Sequence, residues 1–355
     1  MSKSQAFALI LAGGGGTRLW PASRRSRPKQ LLTLGGEESL IAATFGRVSR
    51  VLGVESTLVV TAADQADEIR RALPSLPASN LVAEPAARNT GPAVGLGAIA
   101  AARRAGDDVR LAVIPSDAFI GNEAEFGRIL GIALEHAAET IVTVGIKPTR
   151  PETGYGYLQR GPHVRGEVYE VARFVEKPDG PTAERYLASG DFLWNSGMFF
   201  FTARRLLEEA ARHMPELATI LTEIRNSADS EATARRRYPS VPKISIDYGI
   251  MEKASGICVV PGDFGWNDVG SWSALADIRP QDGAGNVALG DVVLSAVSGS
   301  VVVSEPDAPL VGAVGVDDLV IVATRDAVLV VKKERAQEVR AVVDALATAK
   351  RNELL

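Results

Sequence analysis

The chain of 355 residues has one cysteine and three histidines. A single thiol cannot close an intrachain disulfide, so nothing points to an oxidising compartment. Cys258 lies in the apolar run Ile257-Cys258-Val259-Val260 and reads as a small core residue rather than a nucleophile. His136, His163 and His213 are too scattered to form a metal-ligand motif, which argues against a zinc site or a histidine-centred triad. No apolar run approaches the ~18 residues of a membrane-spanning helix. The run Ala6–Ala12 behind Lys3 is too short for a signal peptide and is followed at once by glycines and an arginine, so it reads as a buried first strand. An excess of positive charge is also missing: 39 Lys+Arg stand against 43 Asp+Glu, a net charge of −4. A general nucleic-acid coat would need a basic excess, whereas a local basic patch is still allowed. We expect a cytoplasmic protein with no membrane or nucleic-acid partner.

Apolar (46%) and charged (23%) fractions are those of a globular chain, and the length allows two or three units, each able to bury a core. Short apolar runs alternate with helical patterns through the first two-thirds. Phe7–Ala12, Ser56–Thr61, Arg110–Ile114 and Thr140–Ile146 read as strands. Glu37–Leu52, Asp64–Leu73, Val94–Ala105 and Glu123–Ala138 read as helices. That rhythm predicts an α/β fold with a mainly parallel sheet covered by helices on both faces. The middle suggests a substrate lobe inserted into or following a nucleotide lobe, with strands at Val168–Glu176 and Gly197–Thr202 and helices at Pro181–Ala188 and Arg204–Arg225. Asn286–Val331 is rich in Val, Gly and Ser. Val287, Val293 and Gly299 recur every six residues, as do Val297 and Val303, a faint β-helix rhythm. Lys332–Leu346 closes as an amphipathic helix.

The first strand runs into Leu11-Ala12-Gly13-Gly14-Gly15-Gly16-Thr17-Arg18-Leu19-Trp20-Pro21-Ala22-Ser23-Arg24, then Arg27-Pro28-Lys29-Gln30. Glycines after a buried strand let backbone N–H groups approach phosphates, and Arg18 and Lys29 add mobile positive charge. A Walker loop requires Lys after its last glycine, and a dinucleotide fingerprint requires a third glycine where Arg18 stands, so both are disfavoured. By itself this pattern leaves the ligand open between a phosphate group and a flexible turn beside a solvated basic stretch.

The whole string resembles the signature of the sugar-1-phosphate nucleotidyltransferases, and its Trp-Pro-x-Ser-Arg variant is most similar to the mannose-1-phosphate guanylyltransferases. Further segments resemble the family in order: Glu84–Ala93, Val113–Asp117, Thr153–Tyr157, Phe174–Pro178, Trp194–Phe199 and Phe264–Trp272. One departure is Ala118, where the family commonly has His. The resemblance implies a Rossmann-like nucleotide-diphospho-sugar transferase (GT-A-like) domain over 1–279 and a small left-handed β-helix-like domain with a C-terminal helix over 280–355, often a dimerisation element. It implies transfer of GMP from GTP to mannose 1-phosphate, giving GDP-mannose and pyrophosphate. A UTP, dTTP or heptose-phosphate enzyme, or a catalytically silent sugar-nucleotide sensor, remains the alternative.

Carried over by resemblance, GTP falls to Leu11, Ala12, Gly13, Gly14, Gly15, Gly16, Thr17, Arg18 and Lys29, with Glu84, Pro85, Arg88, Asn89 and Thr90 at the base. Guanine needs acceptors for N1–H and its amine and a donor for O6, and Glu84, Arg88 and Asn89 offer both kinds. The sugar phosphate falls to Gly154, Tyr155, Gly156, Glu176, Lys177 and Asn195. Asp117 and Asp268 would converge on one Mg²⁺, which takes oxygen ligands and leaves room for phosphates. The implied catalytic set is Arg18, Lys29, Asp117, Lys177 and Asp268, and the implied assembly is a homodimer.

Overall fold

Every residue of Ala6–Ala12 is apolar, the pattern of a strand covered on both faces, and Phe7 to Ile10 are at most 3% exposed. In the computed structural model, which describes residues 5–14 and 16–355, this strand (β1) lies inside a nine-stranded sheet. The other strands are β2 (Thr57–Ala62), β3 (Leu81–Glu84), β4 (Arg110–Pro115), β5 (Ile141–Ile146), β6 (Gly156–Arg165), β7 (Val168–Glu176), β8 (Phe192–Thr202) and β9 (Ile257–Gly262). Their order is β3-β2-β1-β4-β8-β5-β9-β7-β6.

The sheet is mixed, not mainly parallel. β3, β2, β1 and β4 run parallel, with Ile10 opposite both Val59 and Ile114. β8 then enters antiparallel to both β4 and β5, placing Phe201 opposite Leu111 and Phe199 opposite Thr143. Strand direction is invisible to hydrophobic pattern, because a strand buried on both faces looks the same read either way. The expected substrate lobe is likewise no separate sheet: β6 pairs with β8, and β7 with β9. Most helices fall where periodicity puts them, including Leu40–Leu52, Glu123–His136 and Gly180–Ser189. The single helix expected over Arg204–Arg225 is two, Ala203–His213 and Pro215–Asn226. Pro215 has no N–H to continue the first ladder and instead opens the second helix.

The β-helix expected near the end of the chain is present. Its strands are β10 (Val287–Leu289), β11 (Val292–Ser295), β12 (Val301–Ser304), β13 (Val311–Val314), β14 (Leu319–Ala323) and β15 (Val328–Lys332). β10, β12 and β14 stack in parallel, β11 pairs with β13, and β15 closes the stack antiparallel. Val287, Val301 and Val320 form one column, and Leu289, Val303 and Val322 another. The intervals between stacked partners are 14 and then 19 residues, so the six-residue rhythm is not the repeat of the coils. The closing amphipathic helix begins as a 3₁₀ segment, Lys333–Val339, before Arg340–Thr348.

Packing divides the chain into two compact units that interleave along the sequence. The sheet unit takes the chain up to Gly13, Thr44–Ser116 and Asn122–Trp266. The β-helix unit takes Gly14–Ala43, Asp117–Gly121 and Asn267–Leu355. Leu19, Trp20, Leu32 and Leu34, which follow the glycine run, share one core with Trp272, Val301, Val320, Leu329 and Val339. In the sheet unit, Leu9 is fully buried in the main core. Leu9→Ala should cost about 3 kcal/mol, as buried leucine truncations do. A urea unfolding curve with an unchanged midpoint would contradict this.

Candidate active site

Where β1 ends, Gly13 and Gly14 are exposed, with Gly14 at φ 119°. Gly15 lies outside the described residues. Gly16 adopts φ 56°, and a Cβ there would collide with the Cβ of Lys29, so this position demands glycine on both counts. Its carbonyl accepts from Leu19 N (3.0 Å) and Ser23 Oγ (2.7 Å), closing the 3₁₀ turn Thr17–Leu19 on which Arg18 stands exposed. Pro28 sets φ for the next turn, Lys29–Leu31, and the Lys29 side chain is only 11% exposed.

A buried ammonium must be paired. Lys29 Nζ lies 2.8 Å from Asp117 Oδ2 and donates also to the backbone carbonyl of Asp268. The two aspartates are brought to it by an antiparallel bridge in which Phe119 and Asn267 exchange both backbone hydrogen bonds, at 2.8 and 3.0 Å. Asp268 Oδ1 accepts from Gly270 N (3.1 Å), and Val269 between them sits at φ 47°. That is an outlier for a β-branched residue, of the kind stored at functional sites. Among the described residues no three His, Cys, Asp or Glu side chains gather as a metal cluster. Two hard oxygen donors still suit Mg²⁺, which typically takes one or two carboxylates and completes its shell with water and substrate phosphates. Asp117 and Asp268 therefore fit such an ion.

At the end of β3, Glu84 is 7% exposed and accepts a hydrogen bond from the Tyr238 hydroxyl at 3.1 Å. Burial pushes its carboxyl up to about 7, against the pull of the Tyr238 bond and the Arg88 N–H. The Arg88 guanidinium donates to Pro239 O. Asn89, at φ 71°, caps the helix Thr90–Ala105 by accepting from Thr90 N at 2.8 Å. Ile246 N donates to Thr90 Oγ1 (3.0 Å) and Gly91 N to Ile244 O (3.1 Å). The segment 238–246 thus lies along Glu84–Gly91, and the side chains expected to read a base from here bond to protein.

Gly154, Tyr155 and Gly156 lead into β6, and the Tyr155 ring meets Trp194 and Trp266 edge-on at 5.2 and 5.4 Å. A Cβ at Gly156 would come within 2.5 Å of Glu176 Oε2 and 3.2 Å of Asn195 Cβ, so glycine here admits the carboxylate and the amide together. Lys177, at φ 48°, donates its backbone N–H to Tyr155 O (3.2 Å) and its Nζ to Glu176 Oε1 (2.7 Å). Burial works against the Lys177 ammonium, but the Glu176 bond and charge, with Asp247 and Tyr248 nearby, outweigh it and raise its pKa. Asn195 Oδ1 accepts from Thr143 Oγ1 and Gly197 N, and its Nδ2 donates to Asp247 Oδ1 at 3.2 Å.

Glu176, Lys177, Gly156 and Asn195 are therefore one cluster. Asp247 belongs to it and was not found by sequence reasoning. Burial, then the charge of Glu176, pushes its carboxyl up to about 6. Asp247 opens a π-helical turn, Asp247–Met251, of a kind that recurs at functional sites. Such a turn leaves no mark in hydrophobic spacing. Glu252, which accepts from Glu176 N at 3.1 Å, and Tyr238 were missed for the same reason: their partners are far away in sequence.

With this geometry in view, the chain matches the nucleotidyl transferase family model over residues 7–284 and a MannoseP isomerase/GMP-like β-helix domain over residues 290–346. Xanthan biosynthesis protein XanB of Xanthomonas campestris pv. campestris is 42% identical over 361 residues, covering 99% of this chain and 75% of that protein. A mannose-1-phosphate guanylyltransferase of Escherichia coli is 42% identical over 357 residues, covering 97% of this chain and 74% of that one. A crystal structure from Thermus thermophilus, named as a mannose-1-phosphate geranyltransferase, superposes with a TM-score of 0.89. It is 39% identical and covers 97% of this chain and 99% of that one.

The buried Glu84 yields a pH test. Its folded pKa of about 7 stands above the ordinary 4.5, so the folded state holds a proton there that the unfolded chain releases. The resulting stabilisation is full below pH 4.5 and is lost as pH rises through 7. Glu84→Gln should flatten the fall in Tm across that window, and a Tm–pH slope equal to the parent's would remove Glu84 as its source.

Proposed function

The chain belongs to the nucleotidyl transferase family, among its mannose-1-phosphate guanylyltransferases, and we propose how its residues divide the transfer of GMP from GTP to mannose 1-phosphate. GDP-mannose and pyrophosphate are the products. The observation that carries the proposal is the Lys29 ammonium held between Asp117 and the Asp268 carbonyl.

A phosphate oxygen of mannose 1-phosphate is already anionic near neutral pH and needs no strong base. It attacks the α-phosphorus of GTP in line, and the bond to the β-phosphate oxygen breaks as pyrophosphate leaves. The barrier lies in bringing two anions together, so the work is positioning and charge neutralisation. Backbone groups of Leu11–Thr17 cradle the triphosphate. Arg18, exposed on its turn, neutralises the leaving β- and γ-phosphates. Lys29 and Lys177 offset the charge of the reacting phosphates.

Glu84, Pro85, Arg88, Asn89 and Thr90 form the base-facing segment. Because Glu84, Arg88 and Asn89 bond to protein, they support the base by shaping this segment. Gly154, Tyr155 and Gly156 cover the sugar, whose hydroxyls bond to Glu176 and Asn195. Asp117 and Asp268 would hold Mg²⁺, which when bound supplies positive charge on the phosphate oxygens.

The proposal extends to the domains, the assembly and the compartment. We assign 1–279 to nucleotidyl transfer and 280–355 to the β-helix, in line with the spans of the two family models. Exposed valines at 293, 314, 328 and 330 on the β-helix strands support a homodimer. No helix among the described residues is long and apolar enough to cross a membrane. The phosphorylated substrates support a cytoplasmic place.

Pyrophosphate release, assayed over a matrix of nucleoside triphosphates and hexose 1-phosphates with Mg²⁺, should peak at GTP with mannose 1-phosphate; a peak at another pair would refute the assignment. Asp268→Asn keeps an oxygen for the Gly270 bond and should still fold, yet lose about 10²-fold or more in kcat. Near-normal Mg²⁺-dependent turnover in that variant would take Asp268 out of the metal role. Lys177→Gln should raise KM for mannose 1-phosphate and leave KM for GTP unchanged; the reverse pattern would move Lys177 to the nucleotide.

A further inference from the structure

The phosphate turn raises a physical question that its own residues do not answer. Gly13, Gly14 and Gly16 have no side chains with which to fix their positions, and Thr17 and Arg18 are exposed. A glycine-rich turn left to itself is costly to order on binding. Gly16 is held by bonds from Leu19 N and Ser23 Oγ, and those partners are in turn placed by whatever anchors the chain around residue 20.

That anchor is Trp20. The residue is 6% exposed, and its indole N–H and its carbonyl are both bonded to distant parts of the same compact unit. Its indole Nε1 donates to the carbonyl of Leu354 at 2.8 Å, across 334 residues of sequence. Its own carbonyl accepts from the indole Nε1 of Trp272 at 2.9 Å, and Trp272 is fully buried. Trp272 follows Asp268 by four residues, so the second bond ties the phosphate turn to the segment that carries an aspartate of the site.

The segment around Leu354 is itself held in place. Arg351 N donates to Leu346 O at 2.9 Å, and Leu354 N to Arg351 O at 3.1 Å, in the 3₁₀ turn Asn352–Leu354. The turn Thr17–Leu19 also packs against Lys333–Val339 and Arg340–Thr348. Arg24 adds a further tie: its guanidinium lies over the Trp20 ring at 5.6 Å and pairs with Asp326 at 2.8 Å.

We infer that Trp20 is a positioning residue for the GTP phosphates, and that Asn352–Leu354 acts as a strap which holds the glycine turn in its binding geometry through the Trp20 indole N–H. The inference rests on the assignment of Gly13–Arg18 to the triphosphate. Trp20 touches no substrate. It acts by holding Gly16 and Arg18, four and two residues before it, in one arrangement, so that GTP need not order them.

Loss of one neutral hydrogen bond of this kind costs about fivefold in an equilibrium constant. Trp20→Phe keeps an aromatic ring in the core and removes the N–H, along with part of the indole's buried volume. It should raise KM for GTP about fivefold, with KM for mannose 1-phosphate and kcat within about twofold of the parent. Amide hydrogen exchange should quicken over residues 17–24 and stay unchanged in the strands of the nine-stranded sheet. Trp272→Phe, which removes the bond to the Trp20 carbonyl, should move the same parameters in the same direction and keeps the test open if Trp20→Phe fails to fold.

An unchanged KM for GTP in both variants would overturn the inference, as would equal rises in both KM values or a loss confined to kcat. Arg18→Ala serves as the control for the underlying assignment. If it leaves KM for GTP unchanged, the turn does not bind the triphosphate, whereas a rise in Arg18→Ala without one in the tryptophan variants refutes the strap alone.

Discussion

An ammonium group removed from water is the constraint around which this protein is built. Lys29 is nearly buried, and burial of a charge is tolerated only if it is paired. Meeting that demand fixes the Asp117 carboxylate at hydrogen-bond distance and turns the Asp268 carbonyl inward. It accompanies the strained backbone at Val269 and the glycine at 16, where any side chain would meet Lys29. Three stretches far apart in sequence, ending in residues 29, 117 and 268, meet at one cation.

The two polar clusters of the sheet unit follow a different rule. Around Glu84 the side chains bond to protein: the Tyr238 phenol to the Glu84 carboxyl, the Arg88 guanidinium to the Pro239 carbonyl, and the Asn89 amide oxygen to a helix end. They make a stiff segment. Around Glu176 the charges are in excess, with two carboxyls near one ammonium and one amide whose oxygen is already committed. Burial pushes Asp247 up to about 6, and its acidic neighbour Glu176 adds to the shift.

The β-helix carries more than its own fold. Its core contains Leu19, Trp20, Leu32 and Leu34, so the chain directly after the exposed glycine turn is seated on stacked valines. Short parallel strands with columns of like side chains give a rigid base from little chain length. The arginines after the turn, Arg24 and Arg27, serve this seating by pairing with Asp326 and Glu305.

The amino-acid order determined what local chemistry can determine. It marked buried strands by uninterrupted apolar runs, helices by their period, the glycine turn by the absence of side chains, and the family by motifs that hold their order from residue 11 to residue 272. Pairings across long separations were beyond it. No local pattern foretold that β8 would run against β4 and β5, that Tyr238 would meet Glu84, or that Asp247 would stand behind Asn195. Nor did any pattern show that Trp20 would bond to Leu354. Spacing along a chain governs only neighbours within a turn or a strand. Direction, enclosure and the pairing of buried charge are set when distant segments exclude water together, and those were decided by the tertiary structure alone.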